Sequence, residues 1–250
     1  KIKQATGGGA TGESGTGGHG IRSKIVKILG GIITKAKGGN ATGEDSDGGA
    51  GIASDGTLTI HSVNIGTAQG GTSANSTGGS GIRSGDTLTI SNSATITNAT
   101  GGTSTNGNGG SGIYSGSVVK ISGDTITKAT GGSATGENST GGSGIGGSFV
   151  NVEGGTINTT GGSGKSGGAG VSTESGIVSI SNANTALDLT ATAPDADNAI
   201  RGRDGKTPDK IIHLEENGKL GLVKLVENGV TRLFHNGVYT KSIYPAVSET

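Results

Sequence analysis

The chain has 250 residues and no formal net charge at neutral pH, with 28% hydrophobic and 2% aromatic residues, 55 glycines and no cysteine. Ordinary soluble domains carry roughly 45–50% apolar residues, so a single thick globular core is excluded. Balanced charge gives no long-range field for nucleic acid or an anionic membrane surface, there is no thiolate metal site, and no apolar run approaches the roughly 18 residues of a membrane span.

The first element is already part of a repeat. Lys1-Ile2-Lys3-Gln4-Ala5-Thr6-Gly7-Gly8 matches Thr125-Ile126-Thr127-Lys128-Ala129-Thr130-Gly131-Gly132, so the chain is expected to enter in mid-coil. It starts without Met or a signal-peptide apolar region and reads as processed or excised. The open first coil is expected to be completed by further repeats or by a neighbouring subunit; the latter would give a head-to-tail filament.

From Gly20 onward three columns recur. The first is a Gly-Ile step at Gly20-Ile21, Gly51-Ile52, Gly81-Ile82, Gly112-Ile113 and Gly144-Ile145, followed by Gly170-Val171 and Ala199-Ile200, at spacings of 26 to 32 residues. The second runs through Ile28, Ile60, Ile90, Ile121, Val152 and Ile180, each preceded two positions earlier by Val26, Leu58, Leu88, Val119, Val150 or Val178. This is the alternation of a half-buried strand. The third runs through Ile2, Ile33, Ile65, Ile96, Ile126 and Ile157, with continuation expected at Leu187, and Ala36, Ala68, Ala99 and Ala129 stand three residues beyond it. Each repeat of about 31 residues thus supplies three short strands, and the fold class is all-β, a parallel β-helix or solenoid of about seven coils. Aliphatic columns held in register set the chain apart from low-complexity disorder, which buries nothing.

The Gly-rich stretch Gly38–Gly49 is expected between the second and third strands, as a projecting corner loop whose paired glycines supply positive-φ turns and close backbone approach. Past Gly205 glycine thins out, with a boundary between Pro194 and Pro208. Asn217-Gly218, Asn228-Gly229 and Asn236-Gly237 sit between apolar runs, the signal of tight hairpins. Residues 1–205 are therefore assigned to the solenoid and 206–250 to a C-terminal β-hairpin cap that covers the last open edge.

Chemistry is sparse. His19, His61, His213 and His235 occupy unrelated repeat positions and read as surface residues. The acidic cluster Glu44-Asp45-Asp47 is not reproduced at Glu13 or Glu137 and reads as a solvated loop, while Asp195 and Asp197 help turn the chain near the boundary. Gly161–Gly168 lacks the strand-to-helix setting of a phosphate loop, and no Asp recurs at the spacing a calcium-binding repeat needs. No catalytic group, cofactor or metal is assigned. The outward Thr95, Thr97, Thr125, Thr127 and Lys128, with Tyr114 as the one aromatic of the outward columns, form the candidate binding face. An ice-ordering threonine grid is interrupted at Ile32/Thr34, Asn64/Gly66 and Thr156/Asn158.

Ile126-Thr127-Lys128-Ala129-Thr130-Gly131-Gly132 followed by Gly141-Gly142-Ser143-Gly144-Ile145 resembles the Gly/Thr-rich parallel β-helix surface proteins and adhesins of bacteria, over about residues 1–205. The resemblance implies an extracellular or cell-surface setting and a structural or adhesive role without enzymatic activity, with other copies of the chain or surface glycans as partners and neither nucleic acid nor membrane insertion. A carbohydrate-binding module is the alternative reading, with an ice-binding protein and a polysaccharide lyase or hydrolase behind it.

Overall fold

The computed structural model describes residues 1–174, 178–181, 187–195, 198–202, 212–214, 222–227, 230–235 and 238–243. The Asn-Gly steps near the C-terminus, Asp197, Gly205, Pro208 and Tyr244 lie outside them. The described chain is all-β, a parallel β-solenoid of about six turns with a repeat near 31 residues. The first column has seven members, but the last rests on a two-residue strand, Ile200–Arg201.

One sheet stacks the first and second strands of every coil. Its first-strand ladder pairs Ile21, Ile52, Ile82, Ile113, Ile145, Val171 and Ile200 in register, each parallel to the next. The second-strand ladder pairs Ile28, Ile60, Ile90, Ile121, Val152, Ile180 and Leu214. In two coils the strands fuse, as Ile113–Ser122 and Ile145–Glu153. The other sheet stacks the third strands, where Ile33, Ile65, Ile96, Ile126 and Ile157 follow one another. The next member is Leu189, not Leu187: the ladder pairs Gly155 with Leu187 and Ile157 with Leu189. The step from Ile157 to Leu189 is 32 residues, the same as from Ile33 to Ile65, so the ladder keeps its ordinary spacing.

β-branched residues dominate these ladders because their stiff side chains fit a pleated surface, and stacking identical residues fills the narrow interior one layer per coil. Ile52, Ile82, Ile96, Ile113, Ile126 and Ile145 are fully buried. The alanine column Ala36, Ala68, Ala99, Ala129 is broken by Thr159, which pairs with Ala129; Thr159 is buried and its hydroxyl donates to the carbonyl of Gly170.

The glycine-rich wall corrects two expectations. It follows the third strand and leads into the first strand of the next coil, as Gly31–Lys37 runs through Gly38–Gly49 to Ile52–Ser54. Its paired glycines do not take positive φ, which occurs instead in the turn between second and third strands, at Gly30, Gly31, Ser62, Asn92, Ser93, Gly123, Gly154 and Gly155. They are required by close approach: a Cβ on Gly38 would lie 1.8 Å from the carbonyl oxygen of Gly49, and one on Gly102 1.8 Å from that of Gly71. The two glycine pairs of a coil lie backbone against backbone, so only the tip between them projects, with Thr42, Glu44 and Asp45 exposed.

A single file of backbone hydrogen bonds zigzags through this wall. Gly39 N–H donates to Gly18, Gly49 to Gly39, Gly71 to Gly49, Gly79 to Gly71, Gly102 to Gly79 and Gly110 to Gly102, all at 2.7–2.9 Å, and the pattern runs on through Gly132, Gly142 and Gly162 to Gly168. Small hydroxyl side chains satisfy the corners. Ser54, Ser84, Ser115 and Thr173 share one register column and donate to the turn carbonyls of Lys24, Gly56, Asp86 and Ser148.

Parallel stacking continues beyond residue 205. Ile212–Leu214 pairs parallel with Val178–Ser181, and Leu222–Glu227 pairs parallel with Leu187–Ala193. Antiparallel pairing begins only with Val230–His235 on Leu222–Glu227, followed by Val238–Ile243. The boundary near residue 205 thus marks a change of composition inside the stack, and the antiparallel strands extend the edge of the third-strand sheet.

Candidate functional site: a groove along the solenoid axis

The residue after each Gly-Ile step points outward, because strand side chains alternate between faces. In register this column reads Arg22, Ala53, Arg83, Tyr114, Gly146, Ser172, Arg201. The residue before each step reads His19, Ala50, Ser80, Ser111, Ser143, Ala169. Bulky polar groups therefore alternate with small ones along the axis, and the small ones open a groove. One cavity of about 250 Å3 is lined by His19, Asp47, Thr77, Ser80, Arg83 and Tyr114 among others. A second, of about 200 Å3, shares His19 and Arg83 and adds Arg22, Ser54 and Asp55.

Glycine in the wall and in the column shapes the groove. Gly146 lies in register with the half-buried Tyr114, and a Cβ there would make an ordinary van der Waals contact with the ring at 3.5 Å. The Tyr114 hydroxyl reaches the Glu174 carboxylate at 3.4 Å, and burial and that carboxylate push its pKa up.

The carboxylates of the groove are already engaged. Asp55 holds Arg22 through a 2.9 Å ion pair, and Asp47 Oδ1 accepts from the Ser76 hydroxyl at 2.6 Å and the Thr77 N–H at 2.9 Å. Two donor groups are left. The Ala50 N–H donates to His19 Nδ1 at 2.8 Å, which places the neutral imidazole's own hydrogen on Nε2. Burial and the charges of Arg22 and Arg83 hold the His19 pKa below the ordinary imidazole value and favour that neutral form. Arg83 lines both cavities and makes no ion pair with a described residue.

The threonines expected to bind lie elsewhere. Thr97, Thr125, Thr127 and Lys128 are exposed and Thr95 is half-buried, on the third-strand sheet, where Thr95 pairs with Thr125. Tyr114 belongs to the other sheet, so the six residues do not converge. The threonine face passes to Asn64 on one side of Thr95 and to Thr156 beyond Thr125.

His19 was read from sequence as a surface residue, and Arg83 was not singled out. Aligning the repeats on the Gly-Ile step brings them beside Tyr114, and that alignment is the signal that could have found them.

No group of three or more His, Cys, Asp or Glu residues is placed to hold a metal ion among the described residues, and no helix is long and apolar enough to cross a membrane. Compared with protein-family models, curated proteins and solved structures, the chain matches none of them.

Proposed function

We propose that this chain is a non-enzymatic structural or adhesive protein of an extracellular or cell-surface setting, in which the solenoid is a stiff spacer. The observation that carries this reading is the continuity of the stack. Hydrophobic ladders, corner hydroxyls and the glycine file repeat coil after coil, while the outward columns vary freely, from Lys27 through Thr59, Thr89, Lys120 and Asn151 to Ser179. A device that conserves its interior and varies its exterior is suited to spanning distance and to presenting surfaces. The resemblance of the Gly/Thr-rich repeat motifs to bacterial surface adhesins favours the same setting.

Self-association is part of the proposal. Ile25, Leu29 and Ile32 on the first coil are 55%, 65% and 46% exposed, where the next coil carries Thr57, His61 and Asn64 in the matching register. Such a patch is the kind of surface a second copy covers. Negative-stain microscopy of the purified native protein, with protease shaving of intact source cells, tests the reading. Fibres or rods released by shaving are expected; globular particles found only after lysis would overturn it.

The groove favours a second reading, a carbohydrate-binding module. Tyr114 offers an aromatic face beside polar groups, the combination that sugar rings bind.

A further inference from the structure

We infer that the groove on the first-strand face is a binding site for acidic saccharides, with the carboxylate of a uronic acid unit held by Arg83 and His19 and its sugar ring laid on Tyr114. The inference deepens the carbohydrate-binding reading and rests on it.

The chemistry of the recognised group follows from the donors without a partner at Arg83 and His19; of the nearby carboxylates only Asp55 is matched by a cation, Arg22. Asp55 accepts from Arg22, Asp47 from Ser76 and Thr77, and Glu174 from Tyr114. Besides the Ser80 and Ser111 hydroxyls, the donors left over are the Arg83 guanidinium and His19 Nε2–H, so an occupant of that end of the groove brings acceptors. A planar guanidinium fork matches a carboxylate bidentately, and a charge-assisted pair of this kind is stronger than a neutral hydrogen bond. Two further features distinguish a saccharide from a bare anion. Arg83 and Tyr114 are in register on adjacent coils, one strand spacing of roughly 4.8 Å apart, so an anion on the first has its ring carbons over the second. Ser80 and Ser111 stand in the neighbouring column of the same cavity, within the surface that sugar hydroxyls would meet. The cavity volume of about 250 Å3 suits a single sugar unit, and the adjoining 200 Å3 beside Arg22 continues the groove along the axis for the next. Ala53, fully in register between Arg22 and Arg83, keeps that passage open.

Calorimetric titration of the full chain with a glucuronate trisaccharide, a glucose trisaccharide and inorganic sulfate tests the inference. Binding of the glucuronate trisaccharide at least about ten-fold tighter than the glucose trisaccharide is expected, weakened by about ten-fold or more in Arg83→Ala and in Tyr114→Ala and unchanged in Thr127→Ala. Arg83→Lys should recover only part of the affinity, because a point charge replaces the fork. Equal binding of neutral and acidic trisaccharides, or full affinity in Arg83→Ala, would overturn the proposal. Sulfate binding as tightly as the uronate with no effect of Tyr114→Ala would overturn it too, leaving a simple anion site. Circular dichroism melts of each variant separate lost affinity from lost fold. Protease shaving of cells reports on the surface role independently, so a negative titration with a positive shaving result sinks the groove alone.

Discussion

Asp124 Oδ1 accepts the backbone N–H of Ala94, one coil earlier, at 2.8 Å from a position that is only 1% exposed. The same carboxylate accepts the Ser122 N–H at 3.2 Å through Oδ2. Glu227 repeats the device near the other end, where Oε1 accepts the Ala199 N–H at 2.7 Å. Asp124 is turned inward at a corner that other coils fill with Val63, Ala94 or Leu187, whereas Glu227 is buried at the other end of the third strand, in register with Ala193.

Burial pushes the Asp124 pKa up to about 6, against the lowering effect of the two N–H donors and of His61. Its unfolded value is near 3.8, so the native chain holds this proton more tightly. The stabilisation is full below about pH 3.8, falls as pH rises towards 6, and is gone above it. Denaturant unfolding should find Asp124→Asn, which keeps an acceptor for Ala94, lacking a stability loss of roughly 3 kcal/mol that the wild type shows between pH 4 and 7.5. Identical pH profiles for the two proteins would contradict this.

Ile126 is fully buried in the third-strand ladder, while its neighbour Thr127 is exposed. Ile126→Ala should cost about 2–5 kcal/mol through lost burial and a cavity. Thr127→Ala should stay within about 0.5 kcal/mol of wild type. Equal small losses would mean that the faces are wrongly assigned.

The glycine file sets a sharper contrast. Gly102→Ala places a Cβ 1.8 Å from the Gly71 carbonyl oxygen, whereas one on Gly8 meets nothing within 4 Å. Overpacking of backbone against backbone should cost about 3 kcal/mol or more at Gly102, while Gly8→Ala should melt within a few degrees of wild type. A Gly102→Ala protein with an unchanged melting temperature would show that the two walls can separate.

Thr159 spans the place where the other coils carry alanine, and its hydroxyl donates to Gly170. Thr159→Val removes the hydroxyl at constant shape and leaves that buried carbonyl without this donor. Because the Gly170 carbonyl still accepts the Ile145 N–H, a loss of about 0.5–1.5 kcal/mol in chemical denaturation is expected. No loss at all would show the hydroxyl bond to be dispensable.

The ladders were legible because a β-branched residue recurring at Ile33, Ile65, Ile96 and Ile126 has little purpose except to stack. Leu187 was taken over Leu189 because the two stand two residues apart and are both buried on the same face, so alternation alone does not tell which of them continues the column. Gly38-Gly39 and Gly48-Gly49 were given both positive-φ turns and close approach because glycine serves either, and only coordinates separate the two. Asp124 left no mark, since a single acid in one corner of one coil is indistinguishable from a solvated turn residue. The groove was hidden for a related reason: His19, Arg83 and Tyr114 are far apart in the chain and meet only when the coils are superimposed.

The zigzag of glycine hydrogen bonds also separates two kinds of freedom in this molecule. Gly132 and Gly142 are ten residues apart, Gly102 and Gly110 eight, and Gly162 and Gly168 six, yet each pair is joined by the same bond at 2.7–2.9 Å. The glycine file therefore accepts tips of different length, while the tips stay tied from coil to coil through the bridges Ala10–Ala41, Ala41–Ser73, Ser73–Ser104 and Ser104–Ala134. A lineage built on this plan can diversify what it displays at every tip while inheriting an unaltered shaft.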